Sequence, residues 1–380
     1  MPIHLTLHLT SGCNMNCDYC YSPPGERTDM TVETAQRTVD FGMRINEPGS
    51  NVGLVFFGGE PLLKKDIIKS TISYCKKQEK ERGYRFHYKM TTNGLLLDKD
   101  FIRYASAESI DIALSIDGVQ EVHDAHRKTK KGAGTFKVLD RIIDPLLKAL
   151  PYTTAMMTLA PDMIPHFARS AEYLFERGFR YVNVAPDYSA QWTEGDFEEI
   201  IRQYEILADL YEKWTLEERK FYFAPFEIKI ASHIQGAEIL CDRCHLGMKQ
   251  LSIAPDGGIY PCIQFVGDGK NKTRYLIGDV INGIDEDRRM RLYIKSKKEN
   301  TVCAGCALAK RCNHKCSCLN LQTTGSMSDV SPYVCRMEQL LTPISDRLGE
   351  KLYKAGAPMF IQKHYNPDYP IISVLEDMMV

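Results

Sequence analysis

No apolar run in this 380-residue sequence approaches the ~18–20 residues a membrane-spanning helix needs; Val52–Phe57 falls far short. The N-terminus, MPIHLTLHLT, lacks the basic flank and continuous apolar stretch of a signal peptide. These absences predict a cytoplasmic protein with no membrane partner. A basic excess is missing too. With 48 Lys and Arg against 49 Asp and Glu the net charge is -1, so nothing points to nucleic acid and no block of like charge marks a tail. Internal repeats and low-complexity runs are absent. What remains is an ordinary globular composition, 44% hydrophobic and 26% charged, long enough for one large domain and a smaller one.

Cysteine is not scarce. There are 13, and all but Cys75 fall in two groups, three near the N-terminus and nine after residue 240. A reducing compartment disfavours structural disulfides, so clustered thiols read first as metal ligands. The division suggests domains at 1–235 and 236–345, with a helix and tail at 346–380.

Up to about residue 235, strand-like and helix-like segments alternate. His4–Leu9, Val52–Phe57, Phe86–Met90, Ile110–Ile116, Thr153–Leu159 and Tyr181–Val184 read as strands. Thr31–Arg44, Lys64–Glu81, Asp100–Ala105, Thr135–Leu147, Met163–Arg177 and Gly195–Tyr211 read as helices, with Thr31 as an N-cap. Six alternations imply an α/β fold of parallel strands with right-handed crossovers, in an open sheet or a barrel, and reactive residues at the carboxyl ends of strands. After residue 236 periodicity fades. Asp256-Gly257-Gly258 reads as a hairpin turn between Lys249–Ala254 and Gly258–Tyr260, and Glu338–Lys351 as a final helix.

Directly after the first strand comes Cys13-x3-Cys17-x2-Cys20. Three thiolates on one loop can hold three irons of a cubane cluster and leave the fourth open. A structural zinc site normally takes four ligands, and no fourth cysteine lies nearby. A non-catalytic zinc scaffold is the alternative from a different class.

This cysteine spacing, with Tyr19 before the last thiol, resembles the signature of the radical S-adenosylmethionine (SAM) superfamily. Gly58-Gly59-Glu60-Pro61, Thr91-Thr92-Asn93-Gly94 and Ser115-Ile116-Asp117-Gly118 end successive strands, as the family's SAM-binding motifs do. The resemblance implies a partial (β/α)6 barrel. It implies Tyr19, Gly58, Gly59, Glu60, Thr92, Asn93, Ser115, Asp117 and Arg127 as cofactor contacts, with Glu60 toward the SAM amino group and Arg127 toward its carboxylate. The implied chemistry is reductive cleavage of SAM to a 5′-deoxyadenosyl radical that takes hydrogen from an unactivated C–H bond.

Cys244-x12-Gly257-x4-Cys262, Cys303-x2-Cys306-x5-Cys312-x3-Cys316 and Cys335 resemble the SPASM extension of some members. The resemblance implies two auxiliary 4Fe–4S clusters, making three in all. One would use Cys244, Cys262 and Cys316, with Cys241 as the candidate fourth ligand; the other would use Cys303, Cys306, Cys312 and Cys335. Cys75 and Cys318 are expected to be structural, and His245 and His314 not to ligate.

SPASM proteins mostly modify peptides or proteins, and Ile259–Gly267 resembles maturases of ribosomal peptides. The expected partners are a peptide or protein substrate and a flavodoxin or ferredoxin electron donor. With Cys13 so near the start, a separate leader-binding protein or a leader-independent substrate is also expected. Sulfatase maturases carry an Asp general base just after the equivalent of Cys262, where this chain has Ile263 and Gln264, neither of them a base at neutral pH. An anaerobic sulfatase-maturase-like enzyme or a small-molecule dehydrogenase is therefore the alternative within the superfamily. Gln264 and Arg127 are the near-site candidates for catalysis.

Overall fold

Leu5 and Leu7 alternate with His4, Thr6 and His8 along β1 (His4–His8). The fold sends the two sets to opposite faces. The leucines pack under α1 (Val32–Ile45), where a Cβ placed on Gly42 would sit 2.9 Å from Leu5. The polar set faces the helix-free side. Such period-2 segregation recurs in β2 (Asn51–Phe57), β3 (Arg85–Thr92), β4 (Ile110–Ser115), β5 (Thr154–Leu159) and β6 (Tyr181–Pro186). Leu54, Tyr88, Ile112 and Met157 thus join one continuous core with the helices.

These observations come from a computed structural model that describes residues 4–21, 27–235, 245–266, 273–298, 300–312 and 316–378. The crossover helices after α1 are α2 (Lys65–Arg82), α3 (Lys99–Ala107), α4 (Gln120–His126), α5 (Phe136–Ala149), α6 (Phe167–Glu176) and α7 (Glu194–Leu216). Helix starts follow capping chemistry: Thr31 accepts from the Thr34 amide, Asp98 from Phe101, and Thr193 from Asp196. The strands from β1 to β6 pair in parallel in sequence order, and β7 (Tyr222–Phe223) extends that edge. The architecture is the expected α/β barrel, open rather than closed.

At the other edge, β8 (Gln250–Ile253) pairs in parallel with β1, Leu5 opposite Leu251. It then turns through Ala254–Gly258 into the antiparallel β9 (Ile259–Tyr260). The anticipated hairpin is present, but its first strand belongs to the barrel sheet. Helices follow at α8 (Ala224–Gln235), α9 (Glu286–Ser296), α10 (Ser317–Thr324), α11 (Pro332–Lys354), α12 (Pro358–Tyr365) and α13 (Tyr369–Met378). The C-terminal helix thus begins six residues earlier than its periodicity suggests, with Pro332 in its first turn, where the missing amide proton costs no hydrogen bond. Two more helices occupy what reads in sequence as a mixed tail. The first of them is held by buried charge: Glu227 of α8 accepts from Tyr211 at 2.9 Å and pairs with Lys363 and His364 of α12. Among the described residues no helix is long and apolar enough to cross a membrane.

Candidate active site

The cysteine loop leaves the carboxyl end of β1 and is fastened from below by two glycines. Gly58 has φ +132°, and a Cβ there would lie 2.4 Å from the Thr10 carbonyl oxygen; one on Gly59 would lie 2.3 Å from that of Gly12. Only glycine permits this approach. It lets the Gly59 amide donate to Thr10 at 2.8 Å and the Glu60 amide to Gly12 at 3.0 Å. The pair therefore fits the end of β2 against the cysteine loop.

Glu60 is fully buried. Its Oε1 accepts from the Leu62 amide at 3.0 Å and the Thr92 hydroxyl at 2.7 Å, and its Oε2 from the Asn93 amide at 2.8 Å. Burial raises its carboxyl pKa, against the pull of these donors. The carboxylate thus bridges the ends of β2 and β3. Asn93 reaches onward: its Nδ2 donates to Asn14 Oδ1 at 2.8 Å and lies 3.7 Å from Cys13 Sγ. Asn14 is a site residue the sequence reading did not single out; its place inside the cysteine motif was the available signal.

A second clamp holds the far side of the loop. Asp117 is fully buried at the end of β4. It takes two hydrogen bonds from Arg127, one from the Tyr19 hydroxyl and one from the Thr158 amide at 2.9 Å. Burial alone would raise the Asp117 carboxyl, but the Arg127 charge and these donors outweigh it and hold it below the usual range. The Arg127 guanidinium also sits over the Tyr19 ring, 5.3 Å from its centroid. Arg127 and Asp117 thus turn toward each other and toward Tyr19. His123 locks the arrangement. Its Nδ1 accepts from the Asp117 amide at 3.3 Å, leaving Nε2–H to donate to Thr135 at 3.0 Å, which in turn donates to the Arg127 carbonyl at 2.7 Å. Ser115 is half-buried one step before this clamp on the helix-free face.

Cys17 lies within electrostatic reach of both Cys13 and Cys20, so the three thiols share one small region. Burial pushes Cys17 up to about 11 and raises Cys13 as well. At neutral pH such thiols stay protonated unless a metal takes the proton's place. A soft three-thiol set on one loop, with an amide donor at Cys13, fits an iron–sulfur cluster with one open iron. Among the described residues, no three His, Cys, Asp or Glu side chains are close enough together to hold a single metal ion. Beneath the loop, His8 Nε2 is buried with no hydrogen-bond partner, on the helix-free face beside Phe57.

Tyr21 continues the loop toward the second cysteine group, its hydroxyl within electrostatic reach of Cys20 and of Cys262. Cys262 is held below its ordinary pKa, first by a hydrogen bond from Cys318 and then by the Gln264 and Ile263 amides. Gln264 thus reaches the site through its backbone. Cys318, expected to be structural, lies against a candidate ligand. Cys316 caps the N-terminus of α10, in reach of Cys262, with burial raising its pKa. Farther out, Cys303, Cys306 and Cys335 lie within mutual electrostatic reach. Cys312 lines a cavity of about 240 Å³ with Asn183, Tyr188, Lys229 and Glu338, between β6 and α11. Cys241, Cys244 and His314 lie outside the described residues. A larger cavity of about 690 Å³ runs along the strands beside Lys89, Asp111, Thr154 and Tyr181, mostly toward their amino ends, and no described cysteine lines it. Parallel sheets place reactive groups at carboxyl ends, where the Cys13–Cys20 loop lies.

Residues 7–174 match the radical SAM superfamily. The chain is 21% identical over 329 residues to a cysteine-type anaerobic sulfatase-maturating enzyme of Clostridium perfringens, covering 81% of this chain and 86% of that one. It is 23% identical over 398 residues to a serine-type anaerobic sulfatase-maturating enzyme of Klebsiella aerogenes, covering 98% and 95%. Its fold resembles native anSMEcpe with bound AdoMet at a TM-score of 0.79 and 19% identity, over 93% of this chain and all of that one. It also resembles Streptococcus suis SuiB bound to precursor peptide SuiA, at a TM-score of 0.62 and 16% identity, over 88% and 76%.

Proposed function

Residues 7–174 being a radical SAM domain, and the chain an enzyme of that kind, we propose that it is a peptide-modifying maturase with two auxiliary clusters in its C-terminal region. A radical SAM domain works with SAM and one 4Fe–4S cluster, which when bound supply reductive cleavage to a 5′-deoxyadenosyl radical. The single observation that carries the reading is the convergence of Cys13, Cys17 and Cys20 over the ends of β2, β3 and β4, facing Cys262 across Tyr21.

Within this reading the residues take distinct roles. Cys13, Cys17 and Cys20 hold the cluster, Asn93 donates toward Cys13, and Gly58 and Gly59 present backbone to SAM. Glu60 and Asp117 act mainly by fixing the strand ends and Tyr19, since their carboxylate oxygens already have partners, and Arg127 by holding Asp117 through Nε and Nη2. Ser115 and His8 face the interior, where SAM or substrate would meet them. Cys262 and Cys316, with Cys241 and Cys244, would hold the first auxiliary cluster; Cys303, Cys306, Cys312 and Cys335 would hold the second. The domain boundaries at 235 and 345 belong to the same proposal, with β8 joining the two parts through the sheet.

A peptide or protein substrate is supported by the likeness to maturases and to structures holding peptides. Thioether formation, carbon–carbon crosslinking or a related modification follows from hydrogen abstraction. Sulfatase-type maturation is the second reading, favoured by the resemblance to sulfatase-maturating enzymes over most of the chain. Against it stands the segment after Cys262, where Ile263 and Gln264 offer amides and no carboxylate.

The test is anaerobic purification, iron counting, and 5′-deoxyadenosine assay with dithionite and SAM. The reading expects ~12 irons, the total for three cubane clusters, and SAM cleavage lost in Cys17→Ala. Cleavage retained in that variant would refute the assignment.

A further inference from the structure

Cys262, Cys316 and Cys318 lie together at the start of α10, although only the first two belong to the SPASM pattern. Cys316 is the N-cap of the helix, and Cys318 lies in its first turn. Cys318 is 4% exposed and joins a small apolar cluster with Leu246, Tyr260, Phe265 and Met327, against which Cys262 packs. Its thiol donates a hydrogen bond to the Cys262 sulfur, which also accepts from the Gln264 and Ile263 amides.

Valine or alanine would fill such an apolar setting as well. What they lack is the S–H group, so the contact with Cys262 is what sets this residue apart. A ligating cysteine has given up its proton, and each holds its own iron. Two ligands therefore cannot share a hydrogen bond, whereas a protonated neighbour can donate one to a ligand. The geometry makes Cys318 the neighbour. A second observation points the same way. Ser317, between Cys316 and Cys318 in the chain, is 4% exposed, and among the described residues its hydroxyl has no hydrogen-bond partner. Buried hydroxyls are normally satisfied. The turn thus carries one donor more than the polypeptide uses, which suits a turn lying against the sulfurs of a cluster.

We infer that Cys318 is a positioning residue for the auxiliary cluster at Cys262 and Cys316: its thiol donates to the Cys262 sulfur and raises the reduction potential of that cluster. This rests on the auxiliary cluster proposed above. Reduction adds negative charge that spreads onto the sulfurs, so a donor there favours the reduced form over the oxidised one. The apolar shell strengthens the effect, because a hydrogen bond is electrostatically stronger away from water. Cys318 acts through Cys262 alone; it holds no iron, and its proton stays in place.

The experiment uses the anaerobically loaded full chain. Cys318→Val and Cys318→Ala remove the donor, the first keeping most of the volume, and Cys318→Ser keeps a donor. Iron is counted, and the clusters are then titrated with a graded reductant and read by electron paramagnetic resonance. The N-terminal cluster is set apart by the change in its signal when SAM is added. At a fixed potential we expect the reduced-to-oxidised ratio of one auxiliary cluster to fall roughly threefold or more in the two donorless variants. Their iron count should hold, and Cys318→Ser should stay near wild type. An unchanged ratio in a donorless variant that keeps its iron overturns the proposal. So does an equal fall in Cys318→Ser, which would mark an effect of packing. Loss of about four irons, one cubane, from the donorless variants overturns it by making Cys318 a ligand. A wild-type chain holding only about four irons would instead strike the auxiliary clusters themselves, and this role with them.

Discussion

Arg127 grips Asp117 through two hydrogen bonds, Nε at 2.7 Å and Nη2 at 2.9 Å, with both side chains almost entirely out of water. On the other side of the carboxylate the Tyr19 hydroxyl donates, 98 residues earlier in the chain. One buried ion pair thus ties the cysteine loop to the end of β4. Removing one partner leaves an uncompensated buried charge, which costs about 3–5 kcal/mol. Arg127→Met should destabilise by about that much in a denaturant titration, and Arg127→Met/Asp117→Asn should recover part of the loss. Both should lose iron from the N-terminal site as Tyr19 is released. A double variant less stable than the single would show that the pair is not the unit.

Gly59→Ala should be far more damaging than its size suggests. The new methyl would lie 2.3 Å from the Gly12 carbonyl oxygen, so the cysteine loop has to shift. Displacements near 1 Å can cost ~100-fold in rate. Gly195→Ala is the control, its methyl meeting only Thr193 at 3.7 Å. Iron content and 5′-deoxyadenosine formation should fall in the first variant and hold in the second.

Glu60→Gln replaces an acceptor of three hydrogen bonds by a group that must also donate. A buried donor left facing donors costs about 1–3 kcal/mol. We expect a lower melting temperature and weaker SAM binding, with iron near the wild-type count because the thiols are untouched. Loss of all iron would make Glu60 a support of the cluster loop itself.

Stability should fall as pH drops from about 6.5 toward 4. Burial holds His8 down to about 3 and His123 to about 4, so both stay neutral in the folded state after their unfolded counterparts have gained protons. In that window the unfolded chain binds more protons, and stability rises with pH. Each histidine contributes on the order of 1–3 kcal/mol across it. Melting temperatures of wild type and His8→Phe between pH 7 and 4.5 check this; the variant should show the shallower slope.

Much of the barrel was legible because its strands alternate cleanly: Leu5 and Leu7 against Thr6 and His8 is a period no helix can satisfy. Apart from α11, whose Glu338–Lys351 stretch is periodic, the later helices were not. Helix α9 lacks an apolar face to read, having no buried residue, and α12 is fastened by the Glu227, Lys363 and His364 charges rather than by a periodic stripe. The anticipated hairpin was visible at Asp256-Gly257-Gly258. That its first strand would add to β1 was not, because pairing between residues 5 and 251 depends on which edge the barrel leaves open.

The sequence by itself determined the chemistry available: three thiols within eight residues directly after a strand, a glycine pair at a strand end, and a second cysteine group. Short-range spacing carries such information because neighbours in the chain cannot move far apart. Only the tertiary structure decided what the strand-end residues touch. Asp117, Arg127 and Glu60 are suited to a ligand by charge, yet folding buries each against the chain's own donors and acceptors. A buried charge must be paired, and its partners come from strands that sequence spacing leaves tens of residues apart.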